Sequence, residues 1–160
     1  MSGAPSRRIR RAARIVLLDG EDRVLLFRYV PANYPLFWIM PGGACDPDED
    51  FPTAARRELL EETGIIAEPH PLDLVREAEY DYLGEPVTSV EHFFLHRAMQ
   101  ARIDTSGHTE LEREVMQVHR WFTRAEIEAW PETIYPLDII ALMDRALRME
   151  GRRHRSLGLP

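Results

Sequence analysis

The chain has 160 residues, of which 44% are hydrophobic and 29% are charged, and it contains a single cysteine. This composition predicts one globular domain with a core of ordinary size. It excludes an intrachain disulfide and a cysteine-built zinc site. The apolar runs are too short to cross a bilayer, and the basic N-terminus lacks a following apolar stretch. We therefore expect a cytoplasmic protein without membrane contact.

Charge is distributed unevenly along the chain. All 20 basic residues are arginine, and the net charge is −7. Between residues 15 and 144, ten arginines face 26 acidic residues, which leaves this central part at −16. Such a surface repels nucleic acid, so we expect no nucleic-acid partner. An anionic ligand can approach it only where bound cations reverse the local charge.

The charge pattern also suggests the domain organisation. Residues 1–10 are predicted to be a disordered basic arm, residues 11–149 a single domain, and residues 150–160 a basic tail. No internal repeat or low-complexity segment divides the central region. One continuous domain is the prediction that follows.

Strands and one helix are predicted for the first half of the chain. Residues 11–18 and 23–28 are apolar runs separated by Asp-Gly-Glu-Asp, which is typical of a β-hairpin. A short strand at 37–40 leads into Pro41-Gly42-Gly43. A helix is predicted over 51–63, with Asp50 as its N-cap and Gly64 as its C-terminal stop. Its small and apolar positions, Ala54, Ala55 and Leu59, predict the face that packs on the sheet.

The second half is predicted to add strands and two helices. Strands are expected at 72–82, 87–98 and 115–122, and a capping box at 123–126 opens a short helix. An amphipathic helix is expected over 136–149, with its apolar stripe at Leu137, Ile140, Ala141 and Leu147. This order of elements predicts an α/β fold with a mixed β-sheet between helices.

Three glutamates stand together on the first helix. Glu58, Glu61 and Glu62 lie at i, i+3 and i+4, so they share one face, which points away from the core. Like charges at this spacing destabilise a helix by a few tenths of a kcal/mol per pair. A compensating cation is therefore expected, and hard carboxylate oxygens suit Mg²⁺ or Mn²⁺.

The surrounding segment, 43–65, resembles the Nudix box. The pattern G-x5-E-x7-R-E-U-x-E-E-x-G-U, with U aliphatic, is matched at Gly43, Glu49, Arg57, Glu58, Leu59, Glu61, Glu62, Gly64 and Ile65. The resemblance implies an α/β/α sandwich. It also implies a Mg²⁺-dependent pyrophosphohydrolase that splits a nucleoside diphosphate linked to a group X, by attack of water on phosphorus.

The resemblance also implies roles for residues of the box. Glu58 and Glu62 are expected to bind the metal, and Glu61 either binds it or acts in catalysis with Arg57. The Gly42 carbonyl is expected to be a further metal ligand. Gly43, Glu49 and Gly64 are expected to be structural, with Glu49 bracing the box through a hydrogen bond or ion pair.

Several family members take their general base from outside the box. Glu112 is the first candidate for this remote acid, followed by Glu110, Glu114 and Glu91.

Four residues before the box are candidates for substrate binding. Arg14 and Arg28 could contact a phosphate, or they are surface arginines of strands. Phe37 or Trp38 could stack on a base, or they pack in the core.

Alternatives to the main functional prediction stay open. One is the hydrolysis of nucleoside triphosphates, including damaged ones, and another is a non-catalytic domain that senses a nucleotide. Tyr80 and Tyr82 are a weak indication of dinucleoside polyphosphates. The expected partner is a small-molecule nucleotide, and a homodimer is implied only by the resemblance.

Overall fold

A computed structural model describes residues 6–100, 102–116 and 118–158. The strands in these ranges are β1 (Arg8–Leu18), β2 (Val24–Tyr29), β3 (Phe37–Ile39), β4 (Gly42–Ala44), β5 (His70–Tyr82), β6 (Glu85–Arg97), β7 (Val118–Phe122) and β8 (Ile134–Tyr135). The helices are α1 (Phe51–Thr63), α2 (Glu110–Val115), α3 (Arg124–Ala129) and α4 (Ile139–Ser156). None of these helices is long and apolar enough to span a membrane.

The eight described strands form one mixed sheet with β1 near its centre. The main order is β5-β6-β1-β2-β3-β8, while β4 pairs with β1 and β7 with β2. The β1–β6 and β3–β8 pairs are parallel, and the other pairs are antiparallel. β1 is buried on both faces over Ile15–Leu18, as its continuous apolar run predicts.

Helices cover both faces of the sheet. On one face, Ile15 and Leu17 of β1 pack with Ala54, Ala55 and Leu59 of α1. On the other face, Val16 and Leu18 pack with buried residues of α4, which are Ile139, Leu142, Met143 and Ala146. Alternate residues of one strand therefore serve two cores, and the predicted α/β/α arrangement is confirmed.

Both ends of the chain depart from the predicted boundaries. Residues 8–10, predicted to lie in a disordered arm, belong to β1, because Arg8–Leu18 pairs continuously with Val87–Arg97. Residues 1–5 of that arm lie outside the described ranges. At the other end, α4 continues through Ser156 and includes most of the predicted tail.

Two further elements were predicted incorrectly. The apolar stripe of α4 is displaced, because Leu137 is 80% exposed while Ile139, Leu142 and Met143 are buried. The segment 110–115 is a helix rather than the approach to a strand. Thr109 and Glu112 form a capping box at its start, the same signal that correctly predicted α3 at Thr123.

Candidate active site

Helix α1 carries the glutamate cluster, and both of its ends are capped as predicted. The Asp50 carboxylate accepts a hydrogen bond from the Thr53 amide at 2.8 Å. Gly64 has φ = 76°, and its amide donates to the Leu60 carbonyl. A Cβ at position 64 would lie 2.8 Å from Cβ of Asp104, so glycine is needed here for space as well as for conformation.

The sequence predicted that the glutamate face points away from the core, but the structure buries two of the three glutamates. Glu58 is 8% exposed and Glu62 is 2% exposed, while Glu61 is only half-buried. The reason is that β4 crosses this face of α1. The Gly42 amide donates to Oε2 of Glu62 at 2.9 Å.

The two glycines allow β4 to lie close to its neighbours. Gly42 has φ = 141°, and a Cβ there would lie 2.1 Å from the Ala13 carbonyl oxygen. A Cβ at Gly43 would lie 2.6 Å from Oε1 of Glu58. Any side chain at either position would therefore displace β1 or the glutamate.

Burial disfavours the charged form of both inner glutamates. The pKa of Glu62 is raised well above its ordinary value, first by burial and then by the nearby Glu58 carboxylate. Burial also raises the pKa of Glu58, although Arg57 opposes this effect. The pair is therefore short of positive charge as it stands.

Arg57 connects the glutamate cluster to the loop that precedes α1. Its guanidinium donates to both carboxylate oxygens of Glu49 at 2.8 Å, and to Glu58 and Glu61 at 2.9 and 3.1 Å. It also donates to the Ala44 carbonyl at 3.0 Å. These contacts raise the pKa of Arg57 above its ordinary value, which is already high. Glu49 thus braces the box through an ion pair, as predicted, and Arg57 positions the carboxylates.

The donor set of this cluster suits a hard divalent cation. Among the described residues, no three His, Cys, Asp or Glu side chains already converge as a metal site. Arg57 donates a hydrogen bond to one oxygen each of Glu58 and Glu61. The buried Glu58–Glu62 pair nevertheless supplies the oxygen donors and the charge deficit that Mg²⁺ would satisfy. The Gly42 carbonyl, a predicted ligand, accepts a weak hydrogen bond from Arg14 at 3.3 Å.

The remote acid candidates differ in where they lie. Glu112 is half-buried on α2, and its charge contributes to raising the pKa of both Glu58 and Glu62. Its Oε1 accepts the Thr109 amide at 3.2 Å, as part of the capping box. Glu110 and Glu114 are exposed on the same helix, and Glu91 is paired with Arg14 at 3.2 Å. The fold therefore brings Glu112 near the box.

The loop 104–108, which leads into α2, contacts the C-terminal end of α1. His108 is buried, and its Nε2 donates to the Glu62 carbonyl at 3.0 Å. The Asp104 amide donates to the Thr63 carbonyl at 2.9 Å. A Cβ at Gly107 would lie 2.6 Å from the Glu61 carbonyl oxygen. The loop 104–108 thus packs against the last carbonyls of the glutamate helix, just before the residue that caps α2.

Arg28 and Trp38, two predicted substrate residues, share a structural partner. Arg28 forms a two-point ion pair with Glu132, at 3.1 and 2.9 Å. Trp38 is 3% exposed, and its Nε1 donates to the same carboxylate. Its ring meets Phe122 and Trp130 edge to face. Trp38 is therefore a core residue, the alternative that the sequence left open, because β8 and the Glu132 loop cover it.

Phe37 is half-buried, and the side chain of Arg14 is only 13% exposed. Phe37 stacks on Tyr29 with ring centroids 5.1 Å apart, and it contacts Tyr34 and Tyr135 edge to face. Arg14 contacts both Glu91 and the Gly42 carbonyl. Its charge also acts on Tyr29 and Glu62. Arg14 therefore lies between the aromatic cluster and the buried glutamates.

Comparison with known proteins identifies the family. A model of the NUDIX domain matches residues 8–143. The chain is 28% identical to human 8-oxo-dGDP phosphatase NUDT18 over 145 residues, which cover 91% of this chain and 41% of that protein. It is 33% identical to the RNA pyrophosphohydrolase of Erythrobacter litoralis over 118 residues, which cover 66% of this chain and 72% of that protein.

The fold agrees with this match. The crystal structure of the MutT NUDIX hydrolase from Burkholderia pseudomallei superposes with a TM-score of 0.65 at 22% identity, over 87% of this chain and 98% of that one. The chain spans only about two fifths of the length of the human relative. The family model, however, covers most of the present sequence. The chain belongs to the NUDIX domain family.

Proposed function

We propose that this protein is a Mg²⁺-dependent pyrophosphohydrolase. It cleaves the diphosphate linkage of a nucleoside diphosphate-X substrate by attack of water on phosphorus. The observation that carries the proposal is the burial of the Glu58 and Glu62 carboxylates beneath Gly42 and Gly43, which raises the pKa of both. An ordinary surface helix would leave these carboxylates solvated.

Each residue of the site has a distinct role in this proposal. Glu58, Glu62 and Glu61, with the Gly42 carbonyl, would hold Mg²⁺, or Mn²⁺ in its place. The bound cation supplies charge neutralisation for the phosphates and a more acidic water. Arg57 and Glu49 hold the carboxylates and the loop in register. Glu112 accepts the proton from the attacking water.

We assign substrate binding to the surface between β1 and the aromatic cluster of Tyr29, Tyr34, Phe37 and Tyr135. Arg14 has a guanidinium near both Tyr29 and Glu62, so it is placed to contact a phosphate. Phe37, only half-buried, offers a ring for a base. Arg28 and Trp38 contribute to substrate binding only indirectly, because both side chains are held by hydrogen bonds to Glu132.

A second candidate is the hydrolysis of nucleoside di- or triphosphates with a damaged base. It is favoured by the similarity to a human protein named 8-oxo-dGDP phosphatase. A nucleotide-sensing domain without catalysis is the remaining alternative. We place the activity in the cytoplasm, and the homodimer stays a prediction.

The decisive experiment is a panel of nucleotide derivatives assayed with Mg²⁺ and Mn²⁺, with products separated by chromatography. We expect turnover by the wild type, and its loss in Glu62→Gln, which removes a buried carboxylate. Glu68→Gln is the matched control, because Glu68 is exposed and pairs only with Arg56 near the helix surface. Tight nucleotide binding without any turnover would instead support the sensing domain.

The role of Glu112 is tested separately. Glu112→Gln removes the proton acceptor, so kcat should fall by about 10²-fold or more. The amide keeps an oxygen that can accept the Thr109 amide, so α2 stays capped. Glu110→Gln, an exposed change on the same helix, should leave kcat near the wild-type value. A near-normal rate in Glu112→Gln would refute its assignment as the base.

A further inference from the structure

Most arginine side chains in this protein are engaged by the protein itself. Eleven of them form ion pairs with carboxylates. Arg113 and Arg145 donate to backbone carbonyls, and Arg10 and Arg11 lie over aromatic rings. Internal partners are therefore the rule for arginine in this chain.

The last turns of α4 differ from this pattern. Arg148, Arg152 and Arg155 are exposed, and within the described ranges none of them forms an ion pair or a side-chain hydrogen bond. They stand at i, i+4 and i+7, so they share one face over about 10 Å of helix. Together with Leu147 and Gly151 they line an open depression of about 380 Å³. The three guanidinium groups thus surround one concave surface.

Local electrostatics leave this surface strongly positive. Glu150 is the only acidic residue between 145 and 160, and Arg97 engages it at 2.6 Å. Cations in a last helical turn interact favourably with the helix dipole, which accounts for Arg155. Arg148 lies two turns before the end of α4, beyond the reach of that effect. The nearest carboxylate, Asp144 one turn earlier, interacts with Arg148 but is already paired with Arg124. The charges of Arg148 and Arg152 therefore still repel each other until an anion is bound.

We propose that Arg148, Arg152 and Arg155 form a binding surface for the phosphate backbone of a nucleic acid. Guanidinium groups contact phosphate oxygens through two parallel hydrogen bonds, and a row of them follows successive phosphates. No aromatic side chain lines the depression, so the contact is independent of base sequence.

Other anionic partners fit the surface less well. A membrane would require a free apolar face, but the main apolar residues of α4, Ile139, Leu142 and Met143, are buried against the sheet. The acidic surface of a second copy offers many carboxylates that already pair with arginines. The regular spacing of the three guanidinium groups favours a repeating phosphate chain over a membrane or a second copy of the chain.

The surface is separate from the candidate active site. α4 packs on one face of the sheet and α1 on the other. The negative charge that argued against nucleic acid belongs to the central region, so it does not apply to this end of α4. The proposal goes beyond the proposed hydrolase activity and does not depend on it.

Fluorescence anisotropy with a labelled, 5′-hydroxyl single-stranded RNA in EDTA tests the proposal. This probe offers no phosphoanhydride, so binding is measured apart from catalysis. We expect the triple variant R148Q/R152Q/R155Q to bind about tenfold or more weakly at low salt. The slope of log K against log salt concentration should also decrease in magnitude by about 2, from roughly 0.7 for each lost phosphate contact.

The matched control is R7Q/R8Q/R120Q, which changes the net charge equally at three exposed arginines that are paired with acids. Circular dichroism confirms that both variants are folded. If both triple variants bound RNA equally weakly, the effect would be due to net charge alone, and the proposal would be overturned. The proposal would also be overturned if the wild type did not bind RNA. It would be overturned as well if R148Q/R152Q/R155Q lost binding to anionic vesicles, or self-association, in preference to RNA binding.

Discussion

At the scale of single residues, the glycines of β4 decide how closely the glutamate helix can be covered. Gly43 faces the carboxylate of Glu58, and Gly42 donates its amide to Glu62. The backbone of β4 therefore lies directly against both carboxylates. A carboxylate buried in this way loses its hydration shell. Binding of a cation to its oxygens is therefore favoured.

Gly43→Ala should therefore disturb the site without unfolding the protein. The new Cβ would lie 2.6 Å from Oε1 of Glu58, so the carboxylate must move. We expect the affinity for Mn²⁺, measured by electron paramagnetic resonance, to fall about 10-fold or more. Gly20→Ala is the control, since nothing lies within 4 Å of a Cβ there. Unchanged Mn²⁺ affinity in Gly43→Ala would contradict Glu58 as a ligand.

At the scale of elements, the loop 104–108 determines where α2 sits. Carbonyls at a helix C-terminus lack partners within the helix. Here the loop supplies them, through the Asp104 amide to Thr63 and the His108 ring to Glu62. The loop then leads directly into the capping box of Thr109 and Glu112. The candidate base is thereby attached to the helix that carries the candidate metal ligands.

Removal of the His108 ring should weaken this attachment. His108→Ala leaves the buried Glu62 carbonyl without its donor, so the free energy of unfolding should fall by about 1–3 kcal/mol. Urea denaturation measures the change. His154→Ala, at an exposed position of α4, should stay within about 0.5 kcal/mol of the wild type. Equal stability of the two variants would mean that the ring contributes nothing to holding the loop.

At the scale of the whole molecule, Arg97 connects three distant parts of the fold. From the end of β6 it contacts Glu150 of α4, and it also contacts Asp22 and the Asp19 carbonyl in the β1–β2 turn. Its hydrogen bonds to Glu150 lower the pKa of that carboxyl, and burial only partly opposes them. Charge pairing thus fastens α4 to the sheet beside the apolar core.

This pairing predicts a pH-dependent share of stability. Because the folded-state pKa of Glu150 lies below its ordinary value of 4.5, the contribution is present above that pH. It is lost as the pH falls through the folded-state pKa. Glu150→Gln should lower the free energy of unfolding by about 1–2 kcal/mol at neutral pH.

Thermal unfolding between neutral and acid pH measures the difference between Glu150→Gln and the wild type. The difference should shrink toward zero at the acid end. Glu77→Gln, an exposed change on β5, should show little difference at any pH. A Glu150→Gln difference that stayed constant with pH would argue against an ionic contribution.

Local signals were sufficient for the helix that carries the box. Its caps at Asp50 and Gly64 involve hydrogen bonds between residues three or four positions apart, so the sequence alone determines them. The capping box of α2 at Thr109 and Glu112 is an equally local signal. The spacing of Glu58, Glu61 and Glu62 likewise follows from the helical repeat.

Tertiary structure alone decided which of these residues are buried and what they meet. Glu62 meets Gly42, 20 residues away, and Trp38 meets Glu132, 94 residues away. The nearness of Glu112 to the box and the His108 contact are equally non-local. Such pairs depend on strand order and register, which are set by the packing of two cores at once. The sequence by itself therefore determined the chemistry that the helix presents, and the sheet determined its surroundings.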